Sequence, residues 1–159
     1  MSRQVLTSQA LHTAAWARLL RGHAAATRAL NAELVSEHGL TLNAYEALLL
    51  LAHAEEQRMR PVDLAGQLIL TASGVTRLLD GLEEVGLIER ATCASDRRVS
   101  YAVLTETGRE KLESAAESHI AGIRALFEAR YSEEELEQLA DLLGRLPGAG
   151  AGQDEDCRP

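Results

Sequence analysis

The chain has 159 residues, enough for one domain or a compact pair. It is 46% hydrophobic but only 3% aromatic, and 16 basic residues face 24 acidic ones, a formal net charge of −8. The longest uninterrupted apolar run, Ala47–Ala52, is too short for a bilayer, no charged-then-apolar signal opens the chain, and two cysteines, Cys93 and Cys157, fit a reducing cytoplasm. A cytoplasmic protein with no membrane partner is expected.

In chain order, residues 1–8 look frayed. Residues 9–37 then read as one long helix, with Leu11, Ala15, Leu19, Ala26, Leu30 and Leu34 on or near one face. Gly39 is placed to end it as a left-handed C-cap. Such a length suits an element that links subunits. The next helix runs over 43–53 and is nearly all apolar. Asn43 with Glu46 three residues on makes a capping-box pattern, with Thr41 as the alternative cap. After a polar stretch at 55–60, Pro61 fits the first position of a short helix reaching Leu68.

Residues 71–85 form the next helix. Val75, Leu78, Leu79, Leu82 and Val85 recur at helical spacing, Thr71 and Ser73 are candidate N-caps, and Gly86 sits where a C-cap is wanted. The period then changes to two, predicting strands over 87–92 and 99–104 joined by a turn from Cys93 to Arg98. The pair 61–68 and 71–85 is a helix-turn-helix, and the hairpin behind it makes a winged helix. Thr105 caps a long helix to about Ala129. Ser132 with Glu135 is a second capping box, opening a last helix that Pro147 stops. Residues 147–159 read as a disordered acidic tail. The fold class is mainly α with a small β-hairpin wing. Residues 41–104 form the winged helix-turn-helix, and residues 1–40 and 105–146 form a helical region with more apolar surface than the wing needs.

The exposed face of the 71–85 helix carries Thr71, Ser73, Thr76 and Arg77. Small hydroxyl side chains allow close approach to a major groove, and an arginine reads guanine or holds phosphate. The hairpin tip carries Asp96, Arg97 and Arg98, and a projecting guanidinium suits a narrow minor groove. The acidity is concentrated elsewhere, in 106–141 and in Asp154, Glu155 and Asp156. Beyond roughly 8 Å such charge is largely screened at physiological salt. The reading head is nevertheless only weakly basic, which implies reliance on geometry and on two heads.

The order and spacing of Thr76-Arg77-Leu78, Leu82-Glu83, Gly86-Leu87-Ile88, Arg90, Asp96-Arg97-Arg98, Leu104-Thr105 and Gly108 resemble the MarR family of transcription regulators, over about residues 10–146. The resemblance implies a homodimer formed by both chain ends. Its two reading helices would lie roughly 34 Å apart on a pseudo-palindromic operator in double-stranded DNA. It also implies that Arg98 reaches the minor groove while Asp96 holds its guanidinium. Effectors in such proteins, often phenolic or other aromatic acids, sit between the winged helix and the dimer helices.

Each site has a plainer alternative. Arg77 could pair with Asp80 on the next turn, Thr71 could only cap, and the charged tip could be a solvated turn. His12, Trp16, Leu19 and His23 share one face of the first helix. His12, Trp16 and His23, with Tyr45, could line an effector cleft, but packing is the commoner fate of such a stripe. Cys93 is an inert thiol or, with Arg97 and Arg98 nearby, an oxidant sensor. No histidine pair at metal-ligand spacing, phosphate loop or nucleophile elbow is present, so no metal, cofactor or enzyme is expected. The reading is a ligand-released repressor. The rival is a winged helix used for protein–protein interaction, with Arg97 and Arg98 docking an acidic partner.

Overall fold

The computed structural model describes residues 8–68, 70–92 and 99–148. The predicted turn with Cys93, Asp96, Arg97 and Arg98, the first seven residues and the acidic tail lie outside the described residues. The chain divides into two compact units, residues 1–120 and 121–159.

The first unit begins with α1 (Ser8–His38) and α2 (Leu42–His53). Gly39, at φ 66°, reverses the chain between them, and its N–H donates to the Val35 carbonyl at 3.0 Å. Thr41, not Asn43, caps α2: its hydroxyl accepts from the Ala44 N–H at 3.2 Å, while Asn43 lies already inside the helix. The predicted capping box at Asn43 and Glu46 is therefore corrected by one turn geometry. The Asn31 side chain meets another orphan donor, the Leu42 N–H, at 2.9 Å.

The wing has three strands where the sequence predicts two. Glu56 and Gln57 take positive φ values of 51° and 55° and turn the chain. This lets β1 (Arg58–Met59) pair with β3 (Ser100–Leu104). The antiparallel order is β1-β3-β2, with β2 (Ile88–Thr92) on the other edge. Two residues are too few for a period-two pattern to register. Between β1 and β2 come α3 (Pro61–Gln67) and α4 (Ala72–Glu84). Gly86, at φ 75°, ends α4 as predicted, and the Leu87 N–H reaches back to the Leu82 carbonyl at 2.9 Å.

These elements close over one core. Leu34, Leu48, Leu51, Leu64, Val75, Leu79 and Ile88 are fully buried in it. Leu104, Leu112 and Ala115 add the wing and the start of α5 (Glu106–Glu128). The hydroxyl of Thr105 donates to the Gly86 carbonyl at 2.7 Å and accepts from the Gly108 N–H at 3.0 Å. Gly108 packs so tightly there that a Cβ would lie 2.0 Å from the Leu87 carbonyl oxygen. The start of α5 is thus pinned to the end of the helix-turn-helix.

In the second unit, Phe127 and Tyr131 pack their rings 6.3 Å apart. The Ser132 and Glu135 capping box forms in both directions and opens α6 (Glu133–Gly144). No side chain of α6 is buried, and Leu142, Leu143 and Leu146 are exposed.

Candidate nucleic-acid interface

Helix α4 carries the face that can touch another molecule. Val75, Leu79 and Leu82 fix its inner side to the core. The 3.6-residue period then leaves Ser73, Thr76, Arg77, Asp80 and Glu84 on the outer side, all exposed. Thr71 does cap: its hydroxyl accepts from the Gly74 N–H at 3.1 Å and lies 3.2 Å from the Ser73 hydroxyl. Thr76 donates to the Ala72 carbonyl at 3.0 Å, one turn back in its own helix. The small groups at the start of α4 are thus partly engaged locally yet remain open to solvent.

The arginines separate into two kinds. Arg58 meets Glu56 and lies 4.8 Å above the Tyr101 ring. Arg60 forks onto Asp63 at 2.7 and 2.9 Å, and that hydrogen bond holds the Asp63 carboxyl below the usual carboxylate range. Arg90 holds Asp80 at 2.6 Å and Glu83 at 3.1 Å, and Arg109 lies 3.6 Å from Glu106. Arg77 has no partner among the described residues. The Arg77–Asp80 pair, the plainer alternative from sequence, is not formed because Asp80 is taken by Arg90. Sequence reasoning gave Arg90 no role of its own: its partners lie seven and ten residues away, across a helix-to-strand turn.

Beside this face is an open cleft of about 730 Å³. Its walls come from the α1–α2 turn, from α4 and from the start of α5. Leu40, Leu78, Leu82 and Val85 supply apolar surface, while His38, Arg77 and Lys111 supply nitrogen donors. The His38 Nε2 lies 2.6 Å from the Ser118 hydroxyl. None of His12, Trp16, His23 and Tyr45 lines this cleft. His12, Trp16 and His23 are exposed along α1, and the His23 ring approaches the Thr27 hydroxyl at 3.5 Å. Tyr45 is buried, its ring centroid 4.6 Å from that of His119. Burial holds the His119 imidazole below its ordinary pKa, with Glu33 pulling the other way, and its Nδ1 has no described hydrogen-bond partner. Burial likewise raises the Glu46 carboxyl, opposed by His23. The signal that would have found the cleft was weak, because its walls come from three separated segments.

Among the described residues no group of three or more His, Cys, Asp or Glu side chains could hold a metal ion, and no helix is long and apolar enough to cross a membrane.

The MarR family model matches residues 40–100, the stretch from α2 into the wing. The chain is 35% identical over 113 residues to the HTH-type transcriptional regulator MhqR of Bacillus subtilis, covering 70% of this chain and 75% of that protein. It is 34% identical over 108 residues to the HTH-type transcriptional repressor YetL of the same organism. That match takes in 68% of this chain and 64% of the relative's length. Among solved structures, Sco3205 of Streptomyces coelicolor, a MarR family regulator in complex with DNA, superposes with a TM-score of 0.76. The two are 26% identical, with 89% of this chain and 87% of that one covered. CouR of Rhodococcus jostii, bound to p-coumaroyl-CoA, superposes at 0.66 with 30% identity, covering 79% and 86%. A winged helix-turn-helix with an open α4 face and these relatives lead to one assignment: the chain belongs to the MarR family of DNA-binding transcriptional regulators, a family of regulators and not of enzymes.

Proposed function

We propose that this protein is a homodimeric, sequence-specific repressor that works in the cytoplasm and is released from its operator by a small anionic ligand. The observation that carries the reading is the free Arg77 guanidinium on the exposed face of α4, while the other arginines of the described winged region are tied to carboxylates. With Ser73, Thr71 and Thr76 it supplies donors for phosphates and base edges in a major groove. Asp96, Arg97 and Arg98 at the tip of the wing reach the adjacent minor groove, as the family resemblance implies.

Apolar exposure supports the dimer. In the first unit Leu11, Trp16, Leu20 and Val35 are exposed along α1, Trp16 to 61%. In the second unit Leu142, Leu143 and Leu146 are exposed on and just after α6. Apolar surface left open in a folded protein marks a contact face, and a second copy is the usual occupant under two-fold symmetry. Residues 1–40 and 105–146 then serve dimerisation, and 41–104 read the DNA.

The cleft beside α4 suits a phenolic or other aromatic acid: apolar walls for the ring, with His38, Arg77 and Lys111 for the carboxylate. Arg77 borders both the cleft and the exposed face, so a bound anion and a DNA phosphate compete for it. Release requires the ligand to prefer the form that does not bind DNA.

The test is selection of DNA fragments by the purified protein, followed by a salt titration with the selected duplex. Specific binding whose log K falls linearly with log salt supports the reading. Absence of any preference among promoter duplexes would reject it in favour of a protein-interaction module, which the net charge of −8 also suits. At the tip, Arg98→Ala weakens operator binding more than it lowers the melting temperature. Unchanged affinity in a gel-shift titration would remove Arg98 from the interface.

A further inference from the structure

Helix α4 carries its own potential inhibitor. Asp80 lies three residues after Arg77 on the same exposed face, within easy reach of the guanidinium for an ion pair. A carboxylate there would neutralise the cation that meets DNA and would itself repel a phosphate. In the structure this pairing does not occur. Arg90, on β2, extends under the helix and donates from Nη2 to the Asp80 Oδ1 at 2.6 Å and from Nε to the Glu83 Oε2 at 3.1 Å. Its side chain is 33% exposed, against 61% for Asp80 and 42% for Glu83. The Arg90 cation is the better screened from water of the three groups, and a guanidinium fork is preorganised to serve two carboxylates.

We infer that Arg90 is a positioning residue for DNA reading: by holding Asp80 and Glu83 it keeps the carboxylate of Asp80 off Arg77 and leaves that guanidinium free for the nucleic acid. The inference rests on the reading of Arg77 as a DNA contact. It gives Arg90 two effects. One is mechanical, because it ties α4 to the wing through β2. The other is electrostatic, because it sequesters the one carboxylate that competes for Arg77. Only the second makes Asp80 harmful once Arg90 is gone.

That asymmetry is measurable in full-length protein, with a duplex selected from random DNA by the wild type as the probe. Arg90→Ala weakens binding by about tenfold and makes the salt slope shallower by about one, as expected for one lost phosphate contact. Adding Asp80→Asn restores most of the affinity and the slope, although the melting temperature stays at the level of Arg90→Ala. The gain exceeds that of Asp80→Asn in the wild-type background, and it disappears when Arg77 is also alanine, as a coupled trio requires. A double variant that binds no better than Arg90→Ala would overturn the inference and leave Arg90 a brace. An equal gain from Asp80→Asn in every background would overturn it too, showing general repulsion only. If Arg77→Ala alone binds like the wild type, the underlying reading of Arg77 fails, a result distinct from failure of the rescue.

Discussion

The interior of the first unit and the surface of α6 are built from the same residue types with opposite outcomes. Leu48, Leu51 and Leu64 are 0% exposed, each enclosed by neighbouring helices and the sheet. Leu142 is 57% exposed and Leu146 42%, although α6 is well capped and its leucines recur at helical spacing. Amphipathic spacing shows that a face needs covering, not what covers it. In the first unit the chain itself does so. The open faces of α1 and α6 are where the account places a second copy.

The largest expected effect lies on the closed side of this contrast. Leu48→Ala leaves a cavity among fully enclosed neighbours and costs about 2–5 kcal/mol, read by urea unfolding. A loss well under 1 kcal/mol would mean that the core is less tightly enclosed than its burial indicates. On the open side, Leu142→Glu together with Leu143→Glu leaves helix content intact by circular dichroism. It weakens self-association at least about tenfold by sedimentation, because a charge would be buried at a contact. An unchanged mass would break the contrast by removing α6 from any interface. A smaller effect comes at the start of the reading helix. Thr71→Ala removes the α4 cap, costing about 1 kcal/mol, and lowers DNA affinity as the first turn frays. Full affinity would separate the cap from recognition.

The smallest effect concerns His119, between α5 and Tyr45. Its folded pKa is depressed by burial, so the unfolded chain binds the proton more readily. Its contribution to stability is complete above the ordinary imidazole value of about 6.5 and declines as pH falls through that value toward the folded pKa. His119→Leu flattens this part of the stability profile. An unchanged profile would assign the acid sensitivity to other groups.

What was legible in the sequence was local. The caps at Thr71, Gly86 and Ser132 act over three or four residues, and each formed where the pattern put it. The winged helix-turn-helix followed from a change of period between Leu82 and Ile88, and the family resemblance from motifs spaced along the same stretch. What failed was non-local or very short. The two-residue β1 needs the turn at Glu56 and Gln57, and no run of alternation announces it. Tyr45, assigned to a ligand cleft, went into the core because His119, far along the chain, packs against it. The pairing of Arg90 with Asp80 depends on where β2 crosses α4. Helical spacing alone favoured the neighbouring arginine.

The central claim is that two chains read one duplex through paired α4 helices. The most direct measurement is the stoichiometry and salt dependence of binding to a selected duplex, by sedimentation across a range of salt concentrations. The account predicts two chains per duplex, with affinity falling linearly on a log–log scale as salt rises. One chain per duplex, or equal affinity for every DNA sequence, would contradict it.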